Sequence, residues 1–145
     1  MTTATDEREL AADCAAAGGI DEAMIARLVR CFYARVREDA VLGPVFAARV
    51  HGWEAHFATL ADFWSNVILK TRRYDGNPMR LHAGLPIDAA HFAHWLALFG
   101  ATAREVCPPA CAALFLLHAT RIAESLQLGL AVARGELPPR RRTGG

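Results

Sequence analysis

Apolar residues recur along this chain at the spacing of helix faces and nowhere at the alternation of a strand. Ile25, Leu28, Val29, Phe32 and Val36 mark one face of a helix over Asp21–Val36. Asp21 is placed to cap its start, Glu38-Asp39 lies near its end, and Gly43-Pro44 is expected to stop it. Trp53, His56, Leu60, Phe63, Trp64 and Val67 then advance by threes and fours, one stripe down a helix that ends near Lys70. Residues 71–86 hold Asp75-Gly76-Asn77-Pro78 and Leu85-Pro86, turn chemistry that leaves room for only a turn or two of helix around His82. Asp88 suits the N-cap of a helix carrying Phe92, Trp95, Leu96, Phe99, Ala103 and Val106 up to Pro108-Pro109. Pro109 suits the first turn of a last helix through Leu114, Leu117, Ile122 and Leu126 to Gly129 or somewhat beyond. With a weaker helix near Glu7–Ala16, these are five principal helices and no strand, an all-α chain.

At 145 residues, one core is the natural arrangement. A single domain over 1–145 is expected, with its core at about 6–134 between polar N-terminal residues and a basic tail, Leu137–Gly145. A hydrophobic share of 53% with 21% charged residues describes a chain that folds in water. Sixteen basic against fifteen acidic residues leave a formal charge of +1, so no long-range pull toward nucleic acid or anionic lipid is built in. Arg140-Arg141-Arg142 lacks the interleaved aromatics of a nucleic-acid surface, and no nucleic-acid binding is expected. No apolar run reaches the roughly 18 residues of a membrane span, Ala110–Ala119 being too short. The start of the chain carries no export segment, so Cys14, Cys31, Cys107 and Cys111 are expected as reduced thiols of a cytoplasmic protein. No apolar stripe is left unassigned, which favours a monomer or a weak dimer.

Two of the six histidines stand apart: His56 lies inside an apolar helical stripe, and His82 follows in the constrained segment beyond it. The helix from His56 to about Lys70 carries the chain roughly 20 Å at 1.5 Å per residue, and the connector can turn it back, so the two could face each other across a flat ligand. A haem site asks for one neutral imidazole on iron, apolar walls and a few polar groups over the open face, all of which are available here. Taken alone, a histidine in an apolar stripe is more often a hydrogen-bonded core residue.

Other clusters carry less. Cys107, Cys111 and His118 form a Cys-x-x-x-Cys pair with a distant third ligand, but Pro108-Pro109 interrupts the helix and no fourth ligand stands nearby; buried thiols are the simpler reading. His91, His94 and His118 read as surface histidines. No Gly-x-Gly-x-x-Gly, Walker loop or Gly-x-Ser-x-Gly elbow supports nucleotide binding or serine hydrolysis.

Phe32-Tyr33, Leu42-Gly43-Pro44-Val45-Phe46, Trp53-Glu54-Ala55-His56, Phe63-Trp64, Tyr74-Asp75-Gly76-Asn77-Pro78-Met79-Arg80-Leu81-His82 and His94-Trp95-Leu96-Ala97-Leu98-Phe99 follow one another in the order seen in truncated haemoglobins, and the chain most resembles group III. The resemblance runs from about Met24 to Leu130. It implies a shortened globin, a two-over-two helical sandwich around haem b, with His82 as the proximal iron ligand. It also implies distal ligand-binding positions at Tyr33, His56, Trp95 and Leu60, and haem contacts from Phe46, Phe63 and Trp64. Tyr33 and Trp95 would donate to a diatomic ligand that gathers negative charge, favouring O2 over CO. His56 could hydrogen-bond the ligand, swing as a gate or bind iron as a sixth ligand. His82 is expected to donate its second ring nitrogen to a backbone carbonyl. Arg80, preferred over Arg72 and Arg73, is a candidate partner for a haem propionate.

The expected function is therefore that of a cytoplasmic bacterial haem protein taking O2, CO or NO. Redox chemistry on bound oxygen, nitric oxide or peroxide, in the manner of a nitric oxide dioxygenase or a peroxidase, would need an unidentified reductase. The alternative is a haem-free sensor or interaction module that keeps the globin scaffold. Retention of His82 and the aromatic distal set weighs against it, because core volume alone could be filled by leucine.

Overall fold

In the computed structural model, residues 4–136 are described, apart from position 83. Seven α-helices follow in order: α1 (Ala4–Ala16), α2 (Glu22–Glu38), α3 (Leu42–Ala47), α4 (Trp53–Trp64), α5 (Pro78–His82), α6 (Ala89–Val106) and α7 (Pro109–Ala133). No strand occurs among the described residues. The expected basic tail, including Arg140–Arg142, lies outside them.

The caps fall where local chemistry places them. Asp21 accepts the Met24 N–H at 2.8 Å and opens α2. Asp88 accepts from Ala90 and His91, while the His91 ring nitrogen accepts the Asp88 N–H, so a reciprocal capping box opens α6. Pro109 sits in the first turn of α7, where a missing N–H costs nothing.

Two segments differ from the sequence expectation. Gly43-Pro44 does not merely end α2; it lies inside α3. Proline is tolerated in a first turn, and Asp39 Oδ1 accepts the N–H groups of both Val41 and Leu42 at 2.9 Å. Gly43 is needed there because a Cβ would stand 3.0 Å from the Arg37 carbonyl oxygen, so α3 lies directly on the end of α2. The stripe from Trp53 to Lys70 is also not one regular helix, since α4 passes into a π-helical turn over Ser65–Leu69 that closes on Lys70 in the left-handed region. The buried Ser65 hydroxyl donates to Glu22 at 2.7 Å and lies 2.7 Å from Thr71 Oγ1, which anchors that turn to α2.

The sandwich is formed by α2 with α4 and α6 with α7, joined where α2 packs on α6. Phe32, Phe99 and Phe115 are fully or almost fully buried within this core. Trp95, Phe99 and Trp64 stack in sequence at centroid spacings of 5.2 Å. A smaller apolar cluster of Ile87, Phe92, Ala123, Leu126 and Leu130 backs the segment after α5.

The cysteines correct the expectation of four reduced thiols. Cys14 and Cys111 form a disulfide joining α1 to α7, while Cys31 and Cys107 are free. Cys14 is the one buried side chain over residues 7–16, so the packing of α1 on α7 brings these two sulfurs together although they lie 97 positions apart.

Candidate functional site

A cavity of about 480 Å³ opens between α2, α3, α4, α5, α6 and α7. That volume lies within the range of small-molecule and cofactor pockets. Leu42, Val45, Phe46, Leu60, Phe63, Trp64, Ile87, Phe92, Ile122 and Leu126 supply apolar walls. Four of the polar groups on the lining come from separate elements: Tyr33 from α2, His56 from α4, His82 from α5 and Trp95 from α6.

His82 is positioned by its own helix. Its Nδ1 lies 2.6 Å from the Pro78 carbonyl oxygen one turn earlier. A carbonyl can only accept, so Nδ1 carries the hydrogen, and a neutral ring then keeps its lone pair on Nε2. That is the tautomer a metal requires, with the ring orientation already fixed. Asn77 closes the start of α5 by accepting the Arg80 N–H with its side chain at 3.1 Å and the Leu81 N–H with its backbone at 3.1 Å.

Tyr33 is buried, and burial pushes its phenol well above the ordinary tyrosine value, an effect that the nearby Trp95 indole opposes only partly. The phenol is therefore neutral across the physiological range and keeps its O–H as a donor. His56 stands among Trp53 at 5.5 Å, Tyr33 at 5.7 Å and Phe46 at 6.4 Å between ring centroids. Burial lowers its pKa and favours the neutral ring. Its Nε2 is buried without a hydrogen-bond partner, an uncommon condition that a ligand in the cavity would relieve.

All the expected positions Tyr33, Phe46, His56, Leu60, Phe63, Trp64, His82 and Trp95 line this one cavity. Arg80 does not: it is exposed and absent from the lining, as are Arg72 and Arg73, the latter lying 3.5 Å from Glu22. The arginine that reaches the cavity is Arg49, in the turn after α3, accompanied by His51, Tyr74 and His91. Tyr74 belongs to a quoted motif, but nothing in the spacing of Arg49 or His51 singled them out.

The remaining histidines are more than surface groups. His91 serves the α6 cap, His94 lies 2.7 Å from Asp39, and His118, its side chain 16% exposed, lies 3.6 Å from Glu7. Cys111 is spent in the disulfide, and among the described residues no three His, Cys, Asp or Glu side chains converge as a metal cluster. No helix among them is long and apolar enough to cross a membrane.

An imidazole with a free Nε2, apolar walls, a buried neutral phenol and an unpartnered histidine nitrogen form a donor set that fits an iron porphyrin. The chain matches no established family profile. It is 35% identical over 85 residues to the group 3 truncated hemoglobin of Campylobacter jejuni, covering 55% of this chain and 67% of that protein. A crystal structure of group III truncated hemoglobin from Campylobacter jejuni superposes with a TM-score of 0.71 at 32% identity, covering 74% of this chain and 89% of the other. Sequence and backbone agree on the same relative, and the chain belongs to the group III truncated haemoglobins.

Proposed function

We propose that this globin binds haem b with His82 as the iron ligand, takes O2, NO or CO, and supports redox chemistry on the bound ligand rather than its bulk delivery. The observation that carries the reading is the hydrogen bond between His82 Nδ1 and the Pro78 carbonyl oxygen, which holds the ring in the tautomer that ligates iron. The names of its Campylobacter jejuni relatives support it.

Haem, when bound, supplies an iron that takes up a diatomic ligand and changes oxidation state. The chain does the rest. Phe46, Leu60, Phe63, Trp64 and Phe92 exclude water from the cavity. Tyr33, buried and neutral, and Trp95 each bring a hydrogen-bond donor to the cavity for a ligand. Neutral His56 offers Nε2 as a further partner. Donors of this kind hold a charge-gathering ligand longer than an apolar one, which suits turnover fed by a separate reductase better than release.

The test is an absorption spectrum of haem-reconstituted protein in the ferric, dithionite-reduced and CO-bound states, with His82→Ala alongside. A Soret band that moves on CO binding in the wild type, and is lost or weakened in the variant, is expected. A flat spectrum in every state would turn the scaffold toward a non-haem role, and an unchanged variant spectrum would remove His82 as the ligand.

A further inference from the structure

The helix that carries His82 cannot hold itself in place. It has five residues, none of them buried, whereas isolated helices need about 12–15 residues to be even marginally stable in water. Lys70 and Arg72 before it lie in the left-handed region, and Gly84 after it has a φ of +84°. The Pro78 carbonyl holds the His82 ring within α5, and the placement of α5 itself must come from tertiary anchors on either side.

The anchor that follows α5 is polar and comes from far along the chain. Arg134, the C-cap residue of α7, donates through Nη2 to the Leu85 carbonyl at 3.0 Å and the Ile87 carbonyl at 2.8 Å. Its own backbone N–H is held by the Leu130 carbonyl at 3.0 Å, so the guanidinium projects from the closed end of a 25-residue helix. Leu85 and Ile87 stand three and five residues beyond His82, and Ile87 is buried against Leu126 and Leu130 of α7. Two charge-assisted hydrogen bonds from one guanidinium nitrogen to carbonyls two residues apart fix both the position and the turn of that stretch of backbone, which an apolar contact would not. Met79 of α5 lies against Gly129 on the same stretch of α7.

We propose that Arg134 is a positioning residue for His82: by bridging the Leu85 and Ile87 carbonyls it ties the exit of α5 to the end of α7 and sets the angle at which the imidazole meets iron. This rests on the haem reading. Arg134 is not itself a lining residue and does not touch His82; Leu85 and Ile87, whose carbonyls it binds, do line the cavity.

The test compares wild type, Arg134→Ala and, as a control on the same helix, Arg121→Ala, which removes the pair with Glu7. Amide hydrogen exchange on the full chain without haem is read over residues 78–87. Roughly fivefold to tenfold faster exchange is expected in Arg134→Ala alone, from the loss of two charge-assisted hydrogen bonds. Equal exchange in all three would overturn the anchor. In the reduced, haem-loaded proteins, the iron–histidine stretching band is expected to shift or broaden in Arg134→Ala and to match wild type in Arg121→Ala. An unmoved band would overturn the positioning role even if exchange had quickened. If wild type takes up no haem, the haem reading fails and the proposal with it, a result separate from wild type binding haem with Arg134→Ala indistinguishable.

Discussion

Tyr33 of α2 and Trp95 of α6 line the same cavity, and each brings a hydrogen-bond donor to it. Burial keeps the phenol protonated, so its O–H stays available to a ligand in the cavity. In the haem-loaded protein, Tyr33→Phe is expected to raise the O2 dissociation rate about tenfold or more, one neutral to charge-assisted hydrogen bond, while CO dissociation changes little. Trp95→Phe removes the indole donor and leaves the phenol, so a smaller rise of several-fold is expected. Stopped-flow ligand replacement reads both, and O2 rates unchanged by Tyr33→Phe would remove it as the donor.

The same burial makes Tyr33 a liability at high pH. Its folded pKa is raised above the ordinary value near 10, first by desolvation, so the folded chain keeps a proton that the unfolded chain gives up. The stability this contributes is complete below about pH 10 and drains away as pH rises from there toward the folded value. Urea midpoints between pH 9 and 11 are expected to fall for wild type and to fall less for Tyr33→Phe.

The Cys14–Cys111 bond joins positions 97 apart. Closing so long a loop restricts the unfolded chain strongly, and about 2–4 kcal/mol of stability is expected from it. The rest of α1 over residues 7–16 is half-buried or exposed, held by Leu10 and by the pairs of Glu7 with Arg121 at 2.9 Å and His118 at 3.6 Å. Reductant, or Cys14→Ser, is therefore expected to lower the melting temperature and to speed amide exchange over residues 7–16 before the rest of the chain. Alkylation followed by mass mapping should find Cys14 and Cys111 blocked only after reduction.

What could be read from the chain follows the range of the interactions involved. Asp21 and Asp88 cap their helices through N–H groups two or three residues away, so those starts were legible. That His82 and the aromatic set meet at one cavity was legible because six short motifs stand in a fixed order, which no single histidine or tryptophan reveals. The helix α3 was hidden because Gly43-Pro44 reads as a break unless the Asp39 carboxylate and the close approach to the Arg37 carbonyl are known. The disulfide and the reach of Arg49 depend on packing between distant elements, and Arg80 shares the motif of His82 without sharing its cavity.

Asp39 joins three elements through one carboxylate. It ends α2, accepts the first N–H groups of α3 and lies 2.7 Å from His94 Nε2 on α6. The hydrogen bond with His94, followed by those from the backbone, holds its pKa below the usual carboxylate value. That contribution is present above the unfolded value near 3.9 and is lost as pH falls through the folded one. Asp39→Ala is expected to cost about 1–2 kcal/mol at pH 7, in the range of a lost helix cap, and less below pH 3. Denaturant melts at the two pH values measure this. Because α3 carries Phe46 onto the cavity wall, the same variant should also hold haem less tightly, read as a faster transfer to a haem acceptor.

His56 sets stability against function at one atom. Its buried Nε2 has no partner in the protein, so the empty fold bears an unpaired polar group. His56→Leu keeps the bulk and removes that atom, and is expected to stabilise the haem-free chain by about 1 kcal/mol. The folded pKa of His56 is lowered by burial, so the wild type should also lose stability as pH falls below the unfolded value near 6.5, a loss the variant does not share at this site. With haem and O2 present the order should reverse, because the nitrogen then has a ligand to bind and leucine has none to offer, giving faster O2 loss in the variant. Melting curves of the haem-free proteins and O2 dissociation rates of the loaded ones separate the two effects. A variant that is less stable when empty would mean that His56 is a packed core histidine, with no tension between its fold and its function.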